Sequence, residues 1–157
     1  MMKKIYIFPI LLTFFTFGCG FKVINKSELG NFDIAEINTT GEKRINFKLK
    51  NKLLFNSTKN DNKLIKIDLN TKKIKNAKEK NIKNEITKYE ISIIVDVKFS
   101  LIQKVGTVEF VVEEDGDYVV ENQHTETLNN EKKLIELLTD SLADQIFSEL
   151  VLKINDL

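Results

Sequence analysis

One thiol, one imidazole and a dense block of lysines are the side chains of this sequence best placed to do chemistry. Cys19 is the only cysteine and His124 the only histidine among 157 residues. A single thiol excludes an intramolecular disulfide and any multi-cysteine zinc site. A single imidazole excludes a His-dominated metal site. His124 lies between Gln123 and Thr125 and reads as a solvated loop or strand-end residue. Glu113, Glu114, Asp115 and Asp117 crowd together without the spacing of a calcium loop, and read as the end of a hairpin. There is no G-x-S-x-G elbow, Walker glycine loop or H-E-x-x-H pair. Without a nucleophile–base pair the sequence reads as a non-enzyme, with no metal and no cofactor. What remains is charge chemistry. Residues 72–88 hold seven lysines against two glutamates, a surface suited to phosphates or other anions.

That block belongs to a wider separation. From Glu42 to Glu90 there are 15 Lys/Arg against 6 Asp/Glu, and from Glu109 to Leu157 3 Lys against 13 Asp/Glu. Opposed blocks create a local field although the whole chain carries only +1. Two readings stay open. On the first, the basic middle is a solvated loop enlarged by codon usage, since 23 Lys accompany 1 Arg, 16 Asn and 19 Ile. Alternatively it meets a phosphorylated ligand or an anionic surface. Nucleic acid is not expected, because the block lacks the interleaved aromatics of a stacking platform.

The first 18 residues read as an address. Lys3 and Lys4 precede an apolar run from Ile5 to Phe17, which ends at Gly18-Cys19. The run is shorter than the roughly 20 residues of a transmembrane helix and has the form of a secretory signal peptide. Thr16-Phe17-Gly18-Cys19 resembles a bacterial lipobox. The resemblance implies cleavage before Cys19 and a covalent diacylglycerol and N-acyl lipid, such as palmitate, on that residue. Each buried CH₂ contributes about 0.8 kcal/mol, so several chains anchor a protein stably. The other reading of Cys19 is a buried core thiol behind an uncleaved anchor. Gly20, where inner-membrane retention would favour Asp, implies the outer membrane. Processing would leave 139 residues with 22 Lys/Arg and 23 Asp/Glu, a net charge of −1. Residues 19–30 then form a lipidated tether and 31–157 a single domain.

The elements that must position these groups are legible in the patterning. Phe32, Ile34, Ala35 and Ile37 suggest a first strand. Thr39 and Glu42 have capping-box spacing. Ile45, Leu49 and Leu53 then place one helical face over about Gly41–Leu54, with Lys43, Arg44, Lys48, Lys50 and Lys52 around the rest. Ile65, Ile67 and Leu69 alternate as a strand. Asn70–Glu85 reads as a long exposed loop or hairpin extension. Tyr89, Ile91, Ile93, Val95, Val97, Phe99 and Leu101 alternate through seven positions, the strongest strand signal in the chain. Gln103–Gly106 makes a turn, Val108, Phe110 and Val112 return, and Asp115-Gly116 reads as a bulge or turn. From Asn129, the residues Ile135, Leu138, Leu142, Ile146 and Leu150 form an amphipathic stripe. The expected fold is α+β, with two helices packed on one face of a four-stranded mixed sheet, in the order β-α-β-β-β-α. The first two strands should be parallel and the later ones antiparallel.

Cys19-Gly20-Phe21, the strand ending at Ile37, the helix around Arg44–Leu53, the Thr87-Lys88-Tyr89-Glu90-Ile91 entry to the long strand, and the helix from Asn129 to Leu150 together resemble the LPS-assembly lipoprotein family, LptE. The resemblance implies a lipoprotein on the periplasmic face of the outer membrane. It would plug and help assemble an LptD-type β-barrel and bind lipopolysaccharide during its transport to the cell surface. It also implies basic ligand contacts near the start of the long strand, which here fall on Lys83 and Lys88. The last helix reads Leu134-Ile135-Glu136-Leu137 where family members carry a basic residue. Leu137, Phe147 and Val151 lie off its main stripe and suggest a partner interface. On that reading Phe147→Asp would weaken association with the barrel and leave the domain folded. A sheet wide enough to cover those residues is the other explanation. The alternative function is an accessory lipoprotein of another envelope lipid-transport or barrel-assembly system.

Overall fold

The computed structural model describes residues 32–57 and 63–156. Cys19, the expected signal segment 1–18 and the expected tether 19–30 lie outside the described residues. The elements are β1 (Asp33–Gly41), α1 (Lys43–Asn56), β2 (Leu64–Lys80), β3 (Ile86–Leu101), β4 (Val108–Val119) and α2 (His124–Asn155). Both helices cover one face of a four-stranded sheet in the order β1-β2-β3-β4, as expected. β1 runs parallel to β2, and the other neighbours are antiparallel.

The core forms where the two periodicities meet. Ile65, Ile67 and Leu69 of β2 and Ile91, Ile93, Val95, Val97 and Phe99 of β3 are buried against Leu138, Leu142, Ile146 and Leu150 of α2. Each such side chain contributes about 1.5–3 kcal/mol on burial. On β1, Ile34 and Ile37 are both buried although three residues apart, because a register irregularity at Ala35 inserts one residue between them.

The β1–α1 crossover is built differently from the expected capping box. Thr39 and Thr40 belong to β1, and Glu42 is the cap residue without a side-chain cap bond. A tertiary network replaces the cap. The Glu42 amide donates to the Thr71 carbonyl at 3.1 Å. The Thr71 hydroxyl donates to Asn46 Oδ1 at 2.6 Å, and Asn46 Nδ2 donates to the Thr40 carbonyl at 2.8 Å. Gly41 permits this approach. Its φ is +89°, and a Cβ there would stand 1.9 Å from the Thr71 carbonyl oxygen.

Asn70–Glu85 is mostly strand, so the hairpin-extension alternative is the one observed. β2 continues to Lys80 opposite Ile86 of β3. Its register with β1 ends at Gly41–Thr71, so beyond this point β2 extends with β3 alone at its side among the described strands. The tip is an Asx turn: Asn81 Oδ1 accepts the amides of Lys83 and Glu85, and Asn84 takes φ +64°.

Two other local expectations are corrected. Asp115-Gly116 is neither bulge nor turn, since β4 keeps register through it, with Gly116 opposite Ile91. Gly116 instead makes room for α2: a Cβ would stand 2.7 Å from Leu134 Cδ1. α2 begins at His124, five residues before Asn129, because Thr127 Oγ1 accepts the Glu121 amide at 2.9 Å and fixes the entry to the first turn.

Candidate functional site

The two expected ligand lysines lie at the far end of the β2–β3 hairpin. Lys83 is exposed on the tip, its amide donating to Asn81 Oδ1, and has no ion pair among the described residues. Lys88 is differently placed. Its ammonium contacts Glu79 at 2.9 Å and Asp117 at 3.6 Å. Lys78 shares Asp117 at 3.2 Å and holds Glu90 at 2.9 Å. The hydrogen bond to Glu79 raises the Lys88 pKa, and the hydrogen bond from Lys78 lowers that of Asp117. An anionic ligand at Lys88 therefore competes with two carboxylates. Lys72, Lys80 and Lys83 carry no such partner among the described residues.

A second cluster ties the hairpin to α2. Lys75 contacts Glu131 at 2.7 Å and lies 4.4 Å from the Tyr89 ring centroid and 5.3 Å from that of Tyr118. The Tyr118 hydroxyl donates to Glu131 at 2.9 Å, and the two tyrosine rings stack at 5.7 Å. Partial burial works against both charges here. Hydrogen bonding outweighs it, raising Lys75 and lowering Glu131 from their ordinary values. The charge separation along the sequence is thus largely internal complementarity. Lys48 pairs with Glu136, and Lys52 reaches Asp140 and Asp144 at 3.2 and 3.4 Å. The basic α1 runs alongside the acidic α2 in the same direction.

The three expected interface residues of α2 do not form one patch. Leu137 is 68% exposed. Val151 is half-buried against the core. Phe147 is 5% exposed and packs on Phe32, with ring centroids 5.5 Å apart. An aspartate there would place a charge in the core, so Phe147→Asp is a lesion of the fold and not an interface probe.

His124 opens α2 in solvent. Glu113, Asp115 and Asp117 lie within β4 on the sheet face away from the helices, while Glu114 turns to α2 and accepts from Ser141 at 2.7 Å and from Gln145. The expected hairpin end is therefore strand interior. Among the described residues no group of three His, Cys, Asp or Glu side chains could hold a metal.

Hydrophobic periodicity passes over one surface. α1 buries Ile45, Leu49 and Leu53, but Phe47 and Phe55 are 68% and 86% exposed and Leu54 is 42% exposed. Seven- and eight-residue spacing from Phe47 is the signal that finds them.

No protein-family model matches the chain, and no curated protein matches it in sequence. Solved structures do. The chain is similar in fold to the rare lipoprotein B from Shewanella oneidensis, with TM-score 0.55 and 14% identity, over 77% of this chain and 97% of that one. It is also similar to lipoprotein B from Nitrosomonas europaea, with TM-score 0.56 and 13% identity, over 82% and 88%. At these identities the likeness is one of fold.

Proposed function

We propose that the protein is an outer-membrane lipoprotein of the LptE kind, which plugs and helps assemble an LptD-type barrel and binds lipopolysaccharide on its way to the surface. The observation that carries this reading is the coincidence of two independent features. One is the β-α-β-β-β-α fold shared with bacterial lipoproteins over nearly their whole length. The other is a lone cysteine after a signal-like segment, Lys3 to Gly18.

The anchor on Cys19 holds the domain at the periplasmic face of the outer membrane. The hairpin carries cations beyond the helix-covered part of the sheet, where a phosphorylated glycolipid can reach them. Lys83 engages phosphate directly, with Lys80 near it at the tip and Lys72 farther down β2, opposite Ile94. Lys88 contributes by exchanging Glu79 or Asp117 for ligand phosphate. Leu137 and the half-buried edge at Val151 supply apolar contacts to the barrel wall. No chemical step is required of any side chain, in keeping with an accessory that binds and positions.

A tagged copy purified from detergent-solubilised outer membranes tests the reading. Recovery of an LptD-type barrel is expected. Lipopolysaccharide should bind the purified protein, and Lys72→Glu/Lys80→Glu/Lys83→Glu should weaken that binding while circular dichroism is unchanged. A preparation that brings down no barrel and binds no lipopolysaccharide contradicts the proposal.

A further inference from the structure

We propose that the outer face of α1 is a docking surface for an anionic phospholipid bilayer. α1 is unusual in composition: Lys43, Arg44, Lys48, Lys50 and Lys52 are five cations over Lys43–Asn56, and the helix has no carboxylate. At 100° per residue, the buried residues Ile45, Asn46, Leu49 and Leu53 centre on one side. Phe47, Asn51 and Leu54 then centre on the opposite side, with Phe55 at its margin. Arg44 falls within this outward face, between Asn51 and Phe55, while Lys43 and Lys50 border it beyond Leu54 and Lys48 and Lys52 border it beyond Phe55. The helix therefore presents a convex ridge of exposed aromatic and aliphatic side chains between rows of cations.

That arrangement suits a lipid interface. Rings enter the headgroup–acyl boundary while long cationic side chains reach back to phosphates. Lys48 and Lys52 are already neutralised by Glu136, Asp140 and Asp144 of α2. Lys43, Arg44 and Lys50 make no ion pair among the described residues, and Lys50 reaches only the Ile37 carbonyl, at 3.4 Å. Unpaired cations beside and within an apolar ridge match a surface that is negative everywhere and apolar beneath. A protein groove would need carboxylates at matching positions. The inference stands on α1 and does not rest on the barrel reading. Membrane contact would set the orientation of the domain on its anchor before any partner is engaged.

The chain has no tryptophan, so one introduced indole reports a single position. Full-length Phe55→Trp, Phe47→Trp and Val105→Trp proteins are reconstituted with vesicles of phosphatidylethanolamine and phosphatidylglycerol, and separately with phosphatidylcholine. Val105 lies in the fully exposed β3–β4 turn and serves as the reference. At positions 47 and 55 the emission should shift to shorter wavelength and be quenched by brominated acyl chains in the anionic vesicles. It should not respond in the neutral ones, nor at position 105. Adding Lys43→Glu/Arg44→Glu/Lys50→Glu should abolish the shift. Three results overturn the inference: indoles at 47 and 55 that behave as at 105; a blue shift already present without vesicles, which means that another part of the chain covers the ridge; and loss of barrel recovery in Phe47→Asp/Phe55→Asp together with absent lipid quenching, which gives the face to the protein partner.

Discussion

At the scale of single residues, two polar networks act as fasteners between elements. Asn46 is buried and serves both Thr71 and the Thr40 carbonyl. Asn46→Ala leaves the buried Thr71 hydroxyl and the Thr40 carbonyl without this partner, and should destabilise the domain by about 1–3 kcal/mol in urea unfolding. Asn46→Asp should do no better, since the side chain loses the amide donor to Thr40. Glu131 fastens α2 to the hairpin through Lys75 and Tyr118. Its folded-state pKa is lowered, the donors from Lys75 and Tyr118 outweighing its partial burial. A lowered carboxylate contributes stability above its unfolded pKa and loses it as pH falls through the folded value. The wild type should therefore lose stability on acidification below the ordinary glutamate range. Glu131→Gln, about 1 kcal/mol less stable at neutral pH, should lose less over the same interval. Thermal unfolding at a series of pH values checks both the sign and the window.

At the scale of elements, strong periodicity was legible and context-dependent structure was not. The β3 alternation from Tyr89 to Leu101 holds through the strand because one face is buried under α2 along most of its length. β2 from Lys72 onward has no comparable pattern. Its residues mostly see solvent on both faces, and its strand form comes from pairing with β3. It ends where Asn81 Oδ1 takes the Lys83 and Glu85 amides and Asn84 adopts φ +64°, a signal that the sequence reading did not use. The capping box failed for a tertiary reason: the backbone at Gly41–Glu42 is held by Thr71, a residue 30 positions away. Phe147 shows the limit of a helical wheel. Its angular position is off the main stripe of α2, yet Phe32 ahead of β1 covers it. Phe147→Asp should accordingly lower the unfolding midpoint severely, by the equivalent of about 3 kcal/mol or more. Leu137→Asp, on an exposed position, should leave the midpoint nearly unchanged. Paired melts of the two variants separate core from surface on one helix.

At the scale of the whole molecule, the segregation of charge along the chain serves assembly of the fold first. The α1 lysines and the α2 acids face each other, and Lys75, Lys78 and Lys88 find acids on β2, β3, β4 and α2. These exposed pairs are worth little singly, and their value is in orientation. Among the described residues the cations without an ion pair include Lys72, Lys80 and Lys83 on the hairpin extension and Lys43, Arg44 and Lys50 on the outward face of α1, besides Lys63 and the adjacent Lys132 and Lys133 of α2. The first two groups are the ones assigned by proposal to negatively charged lipid. Phosphorylated glycolipid at the hairpin and phospholipid at α1 are the proposed ligands. Both proposals gain their setting from attachment of the chain to the envelope membrane, and intact-mass spectrometry of the protein extracted from membranes tests that most directly. The account predicts a chain that starts at Cys19 and carries the mass of a diacylglycerol and an N-acyl group. A chain that keeps residues 1–18 with an unmodified Cys19 thiol would contradict it.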